Sequence, residues 1–173
     1  DIKSVNLRRK AVDARKKSDV HFCCSVIVEL GIDENEFINS HSFNNVSLYS
    51  PKVYKFPTCQ PYKTKIRPVI IGFGPAGIFA GLTLARAGLK PIILERGYDV
   101  DTRQKDIEHF NKMGKLNPAS NIQFGEGGAG TFSDGKLTTG IKDLRCNAVL
   151  EEFVSHGAES NILYDAKPHI GTD

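Results

Sequence analysis

The sequence predicts an α/β fold built around a parallel βαβ unit, and three observations carry the prediction. A short apolar run, Val69-Ile70-Ile71, turns at Gly72, Gly74 and Gly77; an apolar stretch with helical spacing follows; a second apolar run, Pro91 to Leu94, ends on Glu95. Uninterrupted apolar runs of this kind read as strands buried on both faces, and a parallel pair needs a crossover, here of helical length.

The glycines have the GxGxxG spacing of the phosphate-binding turn that opens a Rossmann-type unit. Gly72 permits the tight turn, Gly74 lets the backbone approach a pyrophosphate, and Gly77 lets the helix pack close to the sheet. Pro75 suits a first helical turn, with Ala76 beside it. Ile78, Leu82 and Ala85 recur at i, i+4 and i+7 as a buried stripe, and Gly88 is a natural stop. The helix start offers unpaired N–H groups and the positive end of a macrodipole, a site for a diphosphate. Glu95 follows Gly77 by 18 residues. A carboxylate there accepts both hydroxyls of an adenosine ribose and repels a 2′-phosphate, which argues against NADP in this site.

Pro68 to Ala85 is 18 residues without a charge, and Gly77 to Gly81 has the GxxxG spacing of paired membrane helices. Four glycines and two prolines within that stretch break it, so a nucleotide-binding turn is the preferred reading and no membrane span is expected.

A second glycine region carries Gly125, Gly127, Gly128, Gly130 and Gly135 among Glu126, Thr131, Ser133 and Asp134. It cannot form a regular helix or a central strand, and it suits backbone amides and small hydroxyls set against an anionic or polar ligand. Asp101 to Met113 and Leu144 to His156 read as helices stopped by Gly114 and Gly157, and Ile162 to Tyr164 as a short strand. Arg96 and, less strongly, Arg103 are candidates to reach ribose or phosphate oxygens. Lys136 is a candidate to hold a negative charge, Asp134 either caps a turn or orients Lys136, and His169 reads as structural.

GPAG, a helix ending Leu-Ala-Arg-Ala-Gly and a strand ending Glu95-Arg96 resemble the FAD-binding start of glutathione-reductase-like flavoproteins. NIQFGEGGAGTFSDGKLTTGIKD (121–143), VLEEFVSHGA and ILYDAKPHIGTD together resemble a poorly characterised family of FAD-dependent dehydrogenases, or oxidoreductases, of bacteria and plastid-bearing organisms. The resemblance covers about Arg67 to Asp173. It implies a bound FAD contacted by Gly72, Gly74, Pro75, Ala76, Gly77, Glu95 and Arg96. Gly127, Gly128, Gly130, Thr131 and Ser133 are implied to lie along the pyrophosphate and the flavin edge. It also implies a small α+β N-terminal domain, but identifies neither the small-molecule substrate nor the hydride donor, for which NADH and NADPH are the candidates. No catalytic residue and no metal site is assigned.

Residues 1–60 are expected as that basic domain, 61–67 as a linker, and 68–173 as the first part of the FAD-binding domain. Asn6 to Lys17 reads as a basic amphipathic helix, Val20 to Leu30 as a core strand, and Gly31 to Pro57 as turns with short extended pieces. Residues 1–67 hold 12 Lys or Arg against 7 acids, whereas 68–173 hold 11 against 13. A solvated helix face is preferred over a nucleic-acid contact for this excess, because no aromatic-rich RNA-binding signature accompanies it.

Cys23, Cys24, Cys59 and Cys146 form neither CxxC nor a paired framework, which fits reduced thiols in a cytoplasmic or, if a leader is missing, plastid or other organellar setting. No His, Cys and acid cluster has metal-ligand spacing. A chain opening on Asp1 and closing on a turn is expected to be the amino-terminal piece of a longer polypeptide, with exposed sheet edges and no activity by itself. The leading expectation is hydride transfer through flavin N5. The alternatives are a flavin hydroxylase or isoprenoid-reductase-type enzyme, a non-catalytic nucleotide sensor, and a nucleic-acid-binding N-terminal module.

Overall fold

A computed structural model describes residues 1–58 and 66–170. Cys59, most of the expected linker and the expected final turn at 171–173 lie outside the described residues. The chain forms two compact units: the described residues of Asp1–Tyr54 with Gly135–Asp173, and those of Lys55–Asp134. This division falls at different places from the boundaries expected at 60 and 67.

The first unit is built on an antiparallel hairpin of β1 (Ile2–Asp13) and β2 (His21–Leu30). The helix expected over Asn6–Lys17 is therefore a strand and a turn. Leu, Ala, Arg and Lys favour a helix only weakly, and the ladder offered by the β-rich HFCCSVIVEL outweighs that preference. Arg15 to Lys17 fall in the connection, where the Arg15 amide and guanidinium both donate to Asp13 and the Asp19 amide donates to Lys16 O. β2 is not the core strand expected: Phe22 and Val26 are exposed, as a ribbon with one partner strand leaves much of both faces open.

The turns expected after Gly31 include a helix, α1 (Glu34–Ser40), capped by Asp33, whose carboxylate accepts from the Glu36 amide. Helix α4 (Leu144–Ser155) starts at its Asp143 cap and packs on a 3-10 turn, Ser160–Leu163. That turn replaces the strand expected at 162–164. Its Ile162 is 1% exposed and is buried, as is Ala148 of α4, in the small core of the unit. The following residues still pair extended, the Lys10 amide donating to Tyr164 O and the Ala166 amide to Lys10 O.

In the second unit β3 (Val69–Ile71) and β4 (Ile92–Leu94) pair in parallel, Val69 opposite Ile92 and Ile71 opposite Leu94, with α2 (Pro75–Arg86) as crossover. Arg67 ties the entrance of β3 to the carbonyls of Lys90 and Pro91. The expected stripe on α2 is displaced: Ile78 and Leu82 are half-buried, Ala85 is exposed, and Gly81 is buried instead. A Cβ on Gly81 would lie 2.8 Å from Ile93 Cδ1, so the Gly77 and Gly81 pair brings helix onto sheet rather than helix onto helix. Hydrophobic periodicity missed it because glycine adds no apolar signal. Helix α3 (Val100–Met113) runs from the Asp99 cap to Gly114. No helix among the described residues is long and apolar enough to cross a membrane.

Candidate functional site

The candidate site lies wholly in the second unit, where the end of β3, the start of α2, the end of β4 and the second glycine region meet. The glycines of the first turn divide by what the fold asks of them. Gly72 has φ +96°, a conformation for which glycine is suited, and its amide donates to Leu94 O at 2.7 Å. A Cβ on Gly77 would collide with Gly72 O. Gly74 meets neither demand: its φ is −81°, and the nearest heavy atom to a Cβ there is Gly128 Cα at 3.8 Å. The protein's own packing thus has no need of glycine at 74, at the mouth of α2, where Pro75 and Ala76 begin the helix. Gly130, with open space around a Cβ and no positive φ, is the same case in the second region.

Glu95 stands at the end of β4 between two backbone donors, Oε2 accepting from the Phe73 amide at 2.6 Å and Oε1 from the Gly97 amide at 2.8 Å. These amides, Gly97 first, hold its carboxyl below the usual carboxylate range. A carboxylate has about four lone-pair sites, so each oxygen keeps capacity for a hydroxyl donor. Arg96 is turned onto the Phe124 ring, 4.3 Å from its centroid.

The second glycine region docks on the first. The Gly127 amide donates to Phe73 O at 2.9 Å, and a Cβ on Gly128 would come within 3.2 Å of Gly74 Cα and Pro75 Cδ. The expected amide cradle is partly spent inside the fold, since the Gly127 and Gly128 amides bond Phe73 O and Gly125 O. What the region presents is its 3-10 turn, Gly128–Phe132, with Gly130, Thr131 and Ser133 exposed and Thr131 Oγ1 donating to Glu126 O. Glu126 accepts from the Val100 amide at 2.8 Å, joining the region to the start of α3.

Arg103, the second arginine candidate, is completely buried, with its guanidinium bonded to main-chain carbonyls of this region. Lys136 and His169 lie in the other unit, where their backbones pair in an isolated bridge; Asp134 is the last residue of this one.

Strand pairing in the hairpin also brings Asp13, His21 and Cys23 together, with one ligand atom from each within 4.8 Å of the others. Cross-strand register is invisible in linear spacing, so this grouping cannot be read from the chain. Arg15 already neutralises Asp13, at 2.5 Å, and no metal is assigned there. Cys23, Cys24 and Cys146 are free thiols.

No protein-family model matches the chain. It is similar to an uncharacterised protein of Clostridium beijerinckii, 48% identical over 173 residues, and spans 32% of that relative's length.

Proposed function

We propose that this chain is part of an FAD-dependent oxidoreductase, and that its βαβ unit is the first crossover of a Rossmann-type FAD-binding domain. The observation that carries the reading is the pairing of Gly74 with Glu95: a glycine that the fold does not require, at a helix N-terminus, beside a carboxylate fixed at the end of the adjoining parallel strand. A pyrophosphate against Gly74 and a ribose on Glu95 use that space, the unpaired first-turn amides and the free lone pairs together. Gly130, Thr131 and Ser133 extend the surface toward a flavin.

When bound, flavin supplies hydride exchange at its N5, with NADH or NADPH as a suitable donor. The protein's part is to hold the diphosphate, fix the ribose, and keep Glu95 ionised so that a 2′-phosphate is rejected. The substrate is a small molecule left open by these residues, in a cytoplasmic or organellar setting, and membership of the FAD-dependent dehydrogenase family follows from the same reading.

The test is the visible absorption spectrum of the full-length protein and of its Gly74→Ala and Glu95→Ala variants, before and after NADH or NADPH. Flavin bands that weaken in both variants and bleach with one donor support the reading. Because alanine at 74 fits the ligand-free fold, a loss there reports on the ligand rather than on folding. Colourless protein that FAD cannot reconstitute would overturn it, and bound nucleotide without redox change would leave a sensor. Rapid reaction of the reduced flavin with oxygen, or saturation of an alkene, would select the hydroxylase or the isoprenoid reductase.

A further inference from the structure

We infer that Arg103 is the positioning residue that aims the second glycine region at the flavin half of the cofactor, an inference that rests on the function proposed above. Arg103, on the first turn of α3, is 0% exposed. Its guanidinium donates to four main-chain carbonyls: Asn121, Ile122 at 3.1 Å, Gly128 at 2.9 Å, and Glu126 in the shortest contact. The same group lies 4.9 Å from the Phe132 ring centroid.

Burying a charge is costly, and a position serving packing alone is filled at lower cost by an apolar side chain. What arginine adds is a planar fork of five donors that bonds several acceptors at once and stacks on a ring. Here both ends of the 3-10 turn rest on it, Gly128 through its carbonyl and Phe132 through its ring, while Gly130 and Thr131 between them stay exposed. The fit is tight as well: a Cβ on Gly125 would lie 2.5 Å from Arg103 Cδ. Gly125 in turn packs on Gly97, whose amide holds Glu95. Arg103 hydrogen-bonds neither Gly74 nor Glu95, and its charge is the smallest of the influences that favour ionised Glu95, after the amides of Gly97, Phe73 and Arg96, so its direct hold is on the second region.

This division predicts a split between ligands. ADP carries the adenosine and diphosphate that fall to Gly74 and Glu95, whereas FAD also needs the turn from Gly128 to Phe132. Binding of FAD and of ADP to the full-length apoprotein should be measured by calorimetry for the parent, Arg103→Lys and Phe132→Leu. Lysine keeps the charge but not the fork, so Arg103→Lys should lower the FAD-to-ADP affinity ratio about tenfold or more with ADP binding retained. Phe132→Leu, which leaves the carbonyl bonds in place, should lower it less. An unchanged ratio in folded Arg103→Lys, or equal losses of both ligands, would overturn the inference. If Arg103→Lys does not fold, Phe132→Leu decides, and an unchanged ratio there overturns it. A parent that binds neither FAD nor ADP removes the proposed function itself, a separate outcome.

Discussion

Glu95 shows how one side chain links fold and site. Its carboxylate takes the amides of Gly97 and Phe73, which joins the ends of β3 and β4, and those donors favour the ionised form. With a folded pKa below the unfolded value, Glu95 contributes stability that is present above the ordinary carboxyl range and is lost as pH falls through the depressed folded pKa. Glu95→Gln should therefore be less stable than the parent at neutral pH, and the gap should narrow as the solution is acidified. Chemical denaturation of both proteins across that range checks this, and a gap independent of pH would refute it. Gly77 and Gly81 belong to the same scale. Neither contributes apolar surface, yet each marks where α2 meets backbone or Ile93 too closely for a side chain.

At the scale of elements, the helices of the second unit are fixed by local chemistry that can be read directly. α3 begins with Asp99 accepting from the Thr102 amide at 3.0 Å and ends with Gly114 at φ +65°, its amide bonded to Phe110 O. Asp99→Ala removes the cap and should lower the melting temperature. Gly114→Ala should cost about 1 kcal/mol, from the left-handed backbone alone, because nothing lies within 4 Å of a Cβ there. Thermal denaturation of the two single variants and the double variant tests both effects. The caps are far enough apart along α3 for the effects to add. β1 is the contrary case. Its residues carry a weak helical preference, and pairing with β2 converts them to a strand, bulged between Ile2 and Ser4 and between Leu7 and Arg9.

Over the whole molecule, charge is uneven: residues 1–67 hold 12 cations and 7 acids, while the remainder is slightly acidic. In the structure several of these cations are already engaged. Arg8 lies over Tyr49 at 4.8 Å, Lys10 over Phe22 at 4.5 Å, and Arg15 is paired with Asp13. Such pairing lowers the gain from neutralising phosphates, so short RNA or DNA should not be retained by the protein at about 0.15 M salt, where exposed charges more than about 8 Å apart are largely screened. Fluorescence anisotropy with labelled oligonucleotides at two salt concentrations is the check. Salt-dependent retention with several contacts in its slope would instead favour the nucleic-acid-binding module.

By itself the sequence determined the elements whose signals are local. The strands around Gly72 and before Glu95, the start of α2 at Pro75, and the stops at Gly88, Gly114 and Gly157 follow from steric rules acting within a few residues. Only the tertiary structure decided what depends on partners distant in the chain. It made β1 a strand through β2, turned Ile162 inward on a helical turn, brought Asp13 beside Cys23 across a ladder, and buried Arg103 under carbonyls 18 to 25 residues away. Linear spacing carries no record of such pairings, because their energy comes from hydrogen bonds and burial that exist only once the chain has closed on itself.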